Sequence, residues 1–89
     1  MIERELLVAN KLGLHARATA KLVQLLSGYR CNATLCVRGR EVNAKSIMGV
    51  MLLAAGQGTP VKLRVEGEDE QAATDAVAAL FERRFDEDQ

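Results

Sequence analysis

The sequence predicts an α+β domain, an open-faced β-sandwich in which three helices cover one face of a four-stranded antiparallel sheet. Three observations predict it. Residues 1–89 are enough for a single domain with its own core, and too few for two. The strand-like segments alternate apolar and polar side chains, so each has one face to bury. Three further segments carry an apolar stripe at helical spacing, which supplies the cover for that face.

The first half of the chain predicts a strand, a helix and a hairpin. Asn10 and Gly13 favour a loop after the first strand, because both residue types are turn formers. Gly28 marks the end of the first helix, and Gly39 marks the turn between two strands. The side chains of that helix expected in the core are Thr19, Leu22, Val23 and Leu26. The predicted bounds are a strand over 2–8, a helix over Ala16–Ser27, and strands over 32–38 and Arg40–Asn43.

The second half predicts two more helices on either side of one more strand. Ser46 is placed to begin the second helix, and Gly56 to end it. An acidic run at 67–70 precedes the third helix and complements its dipole, whereas residues 86–89 are expected to fray. The third helix should bury Ala73, Ala76, Val77, Leu80 and Phe81. The predicted bounds are a helix from Ile47 to about Ala54, a strand over Pro60–Glu66, and a helix that extends to about Phe85.

Charge is distributed unevenly along a chain whose net charge is zero. Residues 1–45 hold eight Lys or Arg against three Asp or Glu, and residues 46–89 hold four against nine. A basic front half suits an anionic ligand or an acidic partner, but attraction between the two halves of the fold explains it equally well. The aromatic residues are Tyr29, Phe81 and Phe85, too few for a stacking face. We therefore expect no nucleic-acid partner.

The cysteine and histidine content argues against a metal site. Cys31 and Cys36 are five residues apart, which puts their side chains on opposite faces of a shared strand. His15 alone cannot complete a zinc site with them. We expect two reduced thiols, no metal and a cytoplasmic location. The charged segment 1–10 does not resemble a signal peptide, and no apolar run approaches about 18 residues, so no membrane insertion is expected.

The tetrad Leu14-His15-Ala16-Arg17 is the part of the sequence that carries chemistry. It lies where the first helix begins, and the first amides of a helix have no partner within it. With the helix dipole these amides form a site for an anion. Arg17 adds a guanidinium whose fork matches phosphate, and an uncharged His15 ring offers a nucleophilic lone pair. These residues permit phosphohistidine chemistry, although the spacing alone fits a surface histidine beside a solvated arginine at least as well.

Two segments of the chain resemble one protein family. Residues 10–17, Asn-Lys-Leu-Gly-Leu-His-Ala-Arg, are similar to the active-site stretch of HPr, the histidine-containing phosphocarrier of the bacterial phosphoenolpyruvate-dependent phosphotransferase system. Residues 44–51, Ala-Lys-Ser-Ile-Met-Gly-Val-Met, resemble the regulatory serine segment of that family. The spacing of the motifs, the order of elements and the length agree as well. The resemblance thus covers essentially the whole chain and implies the HPr fold, βαββαβα, and a carrier rather than a turnover enzyme.

The resemblance implies a role for each residue of the first motif. His15 would accept a phosphoryl group at Nδ1 from phosphorylated enzyme I and pass it to an EIIA-type domain, with no cofactor beyond that covalent group. Arg17, with the amides of Ala16 and Arg17, would bind the phosphoryl oxygens. The chain departs from the family at Ala18, where proline is usual. Alanine is a good helix former, so we expect the helix to form and the departure to affect the rigidity of its first turn.

The second motif implies regulation and docking. Ser46 is a favoured N-cap, and the resemblance adds its phosphorylation by an HPr kinase/phosphorylase, which would place a dianion at the positive end of a helix. Ile47, Met48 and Met51 span more than one face of a short helix, and the resemblance assigns them to contact with enzyme I and the kinase. The basic residues expected to surround this patch and steer acidic partners are Arg17, Lys21 and Lys45.

Two questions stay open at the level of sequence. An HPr-like regulatory module would act through Ser46 without phosphotransfer, but members of that kind lack the active histidine, which this chain keeps as His15. The branch of the family is also open between a sugar-transport carrier and a nitrogen-related or regulatory one. Segments 10–13 and 85–88 resemble the nitrogen-related carrier NPr, whereas the serine segment resembles carriers under kinase control. We expect a monomer.

Overall fold

The computed structural model describes residues 1–87, and the predicted elements follow one another in the predicted order. A short turn of 3-10 type is added after the last helix. The bounds are β1 Ile2–Leu7, α1 Ala16–Ser27, β2 Asn32–Val37, β3 Arg40–Asn43, α2 Ile47–Leu52, β4 Pro60–Glu66, α3 Glu70–Glu82 and the turn Arg84–Asp86. The predicted fraying of Asp88 and Gln89 lies outside the described residues.

The four strands form one antiparallel sheet in the order β1-β4-β2-β3. Alternation sets its two faces: Leu35 lies opposite Leu63 in the register and both are fully buried beneath the helices. On the opposite face Arg64 of β4 pairs with Glu3 of the neighbouring β1 at 3.1 Å and, across β2, with Glu41 of β3 at 3.3 Å. The open-faced α+β sandwich that the sequence predicts is therefore confirmed.

The helices bury stripes close to the predicted ones, with one difference in each long helix. In α1 the stripe runs through Ala18, Leu22 and Leu26, four residues apart, and the predicted Val23 is only half-buried. In α3 the predicted Ala76 is half-buried. The residues that α3 buries are Ala73, Thr74, Val77, Ala78, Leu80 and Phe81. Each stripe thus lies slightly to one side of the predicted position.

The second helix ends at Leu52, two residues before the predicted end near Ala54. Ala54 has φ +50°, in the left-handed region where glycine is usual, and its amide donates to the Met51 carbonyl at 3.1 Å. The early end turns the chain so that the Ala55 carbonyl accepts a hydrogen bond from the Leu14 amide at 2.9 Å. The segment after α2 therefore lies under the loop that precedes α1.

The third helix also ends earlier than predicted, at Glu82 rather than near Phe85. Arg84, Phe85 and Asp86 have φ values of 56°, 55° and 62°, so the chain makes a left-handed turn without a glycine. Such a conformation costs a non-glycine residue about 1 kcal/mol or more. The turn brings Phe85 into the core, fully buried, with its ring centroid 4.8 Å from that of Phe81. The predicted fraying is wrong for Asp86, which lies in this turn, and for Glu87, whose side chain packs against the site described below.

Candidate functional site

His15 lies at the start of α1, where its ring is held at both nitrogens. The residue is the N-cap of the helix, and Nδ1 accepts a hydrogen bond from the amide of Arg17 at 3.1 Å. On the other side of the ring, Nε2 lies 2.6 Å from Oε2 of Glu87. About a quarter of the side chain (26%) is exposed, so the ring is accessible from one side.

These two contacts determine where the ring proton lies. A backbone amide can only donate, so Nδ1 must accept and carries a lone pair. The hydrogen of the neutral ring is then on Nε2, from which it donates to the Glu87 carboxylate. The ring therefore presents a nucleophilic nitrogen at the mouth of the helix, next to amides with no acceptor inside the helix.

The loop before His15 is fixed by a close backbone approach at Gly13. Its φ of +69° is in the left-handed region, and a Cβ built there would lie 2.5 Å from the Ala55 carbonyl oxygen. The neighbouring amide of Leu14 donates to that same oxygen, and Thr19 Oγ1 donates to the Leu14 carbonyl at 3.1 Å. Only glycine fits this contact, which holds the loop against the segment after α2.

Asn10 is a member of the site for which the sequence predicts only a place in the loop. It is fully buried, and its Nδ2 donates to the Gly13 carbonyl at 2.8 Å and to Oε1 of Glu87 at 3.3 Å. Its Oδ1 is buried without a hydrogen-bond partner among the described residues. Asn10 thus joins the loop to Glu87, and the turn-forming tendency on which its prediction rests gives no sign of this.

Glu87 is the second member that the sequence does not reveal. Its side chain is 12% exposed, with one carboxylate oxygen facing His15 and the other facing Asn10. Burial raises the pKa of Glu87, but the hydrogen bonds from His15 and Asn10 lower it by more, so the net pKa is below the usual value for glutamate. The sequence signal at this point, an acidic run near the chain end, is typical of a solvated tail.

The three basic residues expected around the site have different environments. The Arg17 side chain is exposed and makes no hydrogen bond or ion pair within residues 1–87. Lys21 instead holds the left-handed turn, because its Nζ donates to the Phe85 carbonyl at 2.7 Å and lies 3.6 Å from Asp86. Lys45 donates to the Tyr29 carbonyl at 2.8 Å. Two of the three cations are therefore engaged in fixing the fold.

Ser46 caps α2 as predicted. Its Oγ accepts a hydrogen bond from the Gly49 amide at 3.1 Å, and the residue is half-buried. The hydroxyl therefore lies at the positive end of the helix, where a phosphate would be tolerated.

The apolar residues of α2 divide into a buried and an exposed set. Val50 is fully buried beneath the helix. Ile47, Met48 and Met51 are 45%, 72% and 41% exposed. Leu52 and, in the loop before His15, Leu12 are also exposed. We call Ile47, Met48, Met51 and Leu52 the α2 patch.

Cys31 and Cys36 are both unpaired, and burial raises the pKa of the Cys31 thiol. Within residues 1–87 no group of three or more His, Cys, Asp or Glu is arranged to hold a metal ion. In the same part of the chain, no helix combines the length and the apolar character needed to cross a bilayer.

Comparison with known proteins gives the same family by sequence and by structure. Residues 2–83 match the family model described as PTS HPr component phosphorylation site. The chain is 66% identical over 88 residues to the phosphocarrier protein HPr of Xylella fastidiosa, covering 99% of both chains. The crystal structure of HPr-C-His from Thermoanaerobacter tengcongensis superposes with a TM-score of 0.97 at 43% identity, over the whole of both chains. A structure described as an HPr dimer from the same organism superposes at 0.79 with 44% identity, over 98% of this chain and 100% of that one.

Proposed function

The chain belongs to the HPr family of phosphocarrier proteins of the phosphotransferase system, and on that premise we propose that His15 accepts a phosphoryl group from phosphorylated enzyme I and passes it to an EIIA-type domain. One observation carries the proposal. The Nδ1 lone pair of His15 faces the Arg17 amide at the start of α1. When Nδ1 bonds to phosphorus, that amide is released from the ring and is ready to donate to a phosphoryl oxygen.

Arg17 completes the anion site in this proposal. Its guanidinium is exposed, so it can reach the phosphoryl oxygens without breaking a hydrogen bond or ion pair made among residues 1–87. The amides of Ala16 and Arg17 supply further donors. Ala18 is fully buried in the first turn, and α1 begins at Ala16 as in the prediction, so the alanine is compatible with the helix.

Labelling with phosphoenolpyruvate and a matching enzyme I tests the proposal. The protein should take up one phosphate that is labile in acid and stable in alkali, the behaviour of a phosphohistidine. His15→Ala should lose the label completely while keeping its circular dichroism spectrum. Label that persists in this variant would place the phosphate elsewhere, and absence of label in the wild-type protein would remove the carrier function.

Ser46 is the site at which we propose regulation by an HPr kinase/phosphorylase. Its cap position supports this, because a phosphate there lies at the positive end of α2 and acts chiefly on an approaching partner. Incubation with ATP and the kinase should give an acid-stable phosphate that Ser46→Ala abolishes. An unlabelled wild-type protein would leave the hydroxyl as a structural cap only.

The α2 patch is the surface that we propose enzyme I and the kinase contact. Apolar side chains this exposed, and Met in particular, suit an adaptable docking surface. Met48→Glu should slow phosphorylation by enzyme I at limiting concentrations of the carrier, through KM, and leave the free energy of unfolding within about 0.5 kcal/mol of wild type. Leu7→Glu is the control, since Leu7 is also exposed (57%, against 72% for Met48) but lies on β1, at the sheet edge opposite β3. Equal KM values for the two variants would argue against this docking surface.

The alternative function is that of a regulatory module that works through Ser46 without phosphotransfer. The held and accessible His15 ring favours the carrier over this module. We further propose that the carrier is monomeric and cytoplasmic, where its thiols stay reduced. Gel filtration at micromolar concentration tests the monomer, and elution at twice the mass would contradict it.

A further inference from the structure

We propose that Glu87 is a positioning residue for phosphotransfer, which holds the His15 ring with its hydrogen on Nε2 and its lone pair on Nδ1. The proposal rests on the carrier function above and adds the group that prepares the nucleophile. Its basis is the contact of 2.6 Å between Glu87 Oε2 and His15 Nε2, made by residues 72 positions apart.

The carboxylate of Glu87 is itself held in place at its second oxygen. Asn10 Nδ2 donates to Oε1 at 3.3 Å, and the same nitrogen donates to the Gly13 carbonyl. Asn10 is fully buried, so its amide group has little freedom to turn. The loop that carries His15 thus also orients the carboxylate that faces the ring, in the way that outer partners orient a reactive group.

The chain reaches this position through the left-handed turn at Arg84–Asp86. Non-glycine residues keep such a conformation only where the surroundings impose it, and these positions cluster at functional sites. Here the turn is held by the buried Phe85 ring, by the Lys21 bond to the Phe85 carbonyl, and by Arg83 Nε donating to Asp86 at 2.9 Å. A right-handed continuation of α3 would not bring Glu87 back over the start of α1.

The proposed step has a simple balance of bonds and charge. The Nδ1 lone pair of His15 forms the bond to phosphorus as the bond between phosphorus and the donor histidine nitrogen breaks, and the breaking pair stays on the donor nitrogen. The His15 ring, with hydrogen still on Nε2, becomes positively charged. Glu87 accepts the hydrogen bond from Nε2 throughout and offsets that charge, as the carboxylate of a catalytic triad does for its histidine.

Replacement of Glu87 by the isosteric glutamine gives a distinctive prediction. Asn10 Nδ2 is a donor, so the atom that takes the place of Glu87 Oε1 must accept a hydrogen bond. The glutamine oxygen should therefore face Asn10, and its NH₂ group should face His15 Nε2. An NH₂ group donates, and the ring must then accept at Nε2 and carry its hydrogen on Nδ1. The lone pair is removed from the reacting nitrogen. Glu87→Gln should therefore slow phosphorylation more than the truncation Glu87→Ala. In the alanine variant the Arg17 amide still donates to Nδ1 and favours the tautomer with hydrogen on Nε2.

The experiment measures ring tautomer and rate in the full chain. Nitrogen-15 NMR of His15 at neutral pH should show hydrogen on Nε2 in the wild type, a shift of population towards hydrogen on Nδ1 in Glu87→Gln, and a smaller shift in Glu87→Ala. The initial rate of phosphorylation by enzyme I should fall at least tenfold in Glu87→Gln and about threefold in Glu87→Ala. The control is Glu82→Gln, because the Glu82 carboxylate is exposed and makes no hydrogen bond or ion pair among residues 1–87. Its initial rate of phosphorylation should stay within twofold of wild type.

An unchanged tautomer and an unchanged rate in both Glu87 variants would overturn the proposal. A larger loss of rate in Glu87→Ala than in Glu87→Gln would also overturn it, because it would show that Glu87 acts only by packing against the ring. The carrier function fails separately, by absence of label in the wild-type protein. The NMR measurement needs no phosphoryl donor, so it decides the role of Glu87 in either case.

Discussion

The starts of α1 and α2 are built alike but are held differently. Each helix has a capping side chain that accepts a hydrogen bond from its first turn, His15 from the Arg17 amide and Ser46 from the Gly49 amide. The Ser46 cap is made by residues three apart. The His15 cap is supported in addition by Glu87, from the far end of the chain, and by the close approach of Gly13 to the segment after α2.

On the proposed function, the difference separates a cap that only satisfies an amide from one that also reacts. A local cap satisfies an amide and requires only a favourable residue type. A cap that also serves as a nucleophile, as proposed for His15, has to keep one ring nitrogen unprotonated, and a hydrogen-bond acceptor on the other side of the ring stabilises that state. We therefore expect substitutions around α1 to cost more than matched ones around α2.

The glycines of the two regions should show the largest contrast. Gly13→Ala adds a Cβ 2.5 Å from the Ala55 carbonyl oxygen at a left-handed φ, and it should lower the free energy of unfolding by roughly 2–4 kcal/mol. Gly49→Ala gains helix propensity and meets Ser46 and Val42 at 3.3 Å, so it should stay within about 1 kcal/mol of wild type. Urea denaturation measures both, and equal losses would contradict the difference between the two regions.

The asparagines give a second, smaller contrast. Asn10→Ala leaves the buried Gly13 carbonyl and a Glu87 oxygen without their donor, and it should cost about 2 kcal/mol. Asn43→Ala removes an exposed acceptor of the Lys45 amide before α2, which water can replace, and should cost less than about 1 kcal/mol. The same denaturation series checks the pair. A cost for Asn43→Ala as large as that for Asn10→Ala would show that the loop before α1 is not specially held.

Sequence patterns predicted the parts of the fold that depend on neighbours along the chain. The period of two over Pro60–Glu66 gave that strand its observed bounds, because alternation is a local property. The predicted end of α3 was wrong because the chain turns there instead of continuing as a helix. That turn depends on the contacts of Phe85 with the Phe81 ring and with Lys21, which the local pattern does not reveal. The roles of Asn10 and Glu87 were missed for the same reason, since their contact joins residues 77 positions apart.

Loss of the Ser46 cap should have a moderate effect on stability and none on the His15 ring. Ser46→Ala removes the acceptor of the Gly49 amide and should lower the free energy of unfolding by about 1 kcal/mol. Ser46→Asp keeps an acceptor at the same place and should stay within about 0.5 kcal/mol of wild type. Neither variant should change the His15 tautomer in NMR. A changed tautomer in Ser46→Ala would show that the two helix starts are coupled.

The smallest expected effect is the titration of Glu87. Its folded pKa is lowered, so the stability from its contacts is present above the ordinary value of 4.5 and is lost as the pH falls through the lowered value. Carbon-13 NMR of the carboxyl group should give a midpoint below 4.5, and Asn10→Ala should move that midpoint upward because one of the lowering hydrogen bonds is removed. A midpoint at or above 4.5 in the wild type would contradict the contacts described for the carboxylate.

The turn after α3 separates the residue that anchors this segment in the core from the residue that contacts His15. Phe85 anchors this segment in the core and Glu87 lies two residues beyond it, so we expect exchanges at residue 87 to leave the packing of the Phe85 ring in place. With Glu87 in the positioning role proposed above, variants that differ at this one position would form a series of carriers with graded rates of phosphotransfer. Such a series would be suited to setting the delay of a synthetic phosphorelay, because the α2 patch, the proposed docking surface, is the same in all its members.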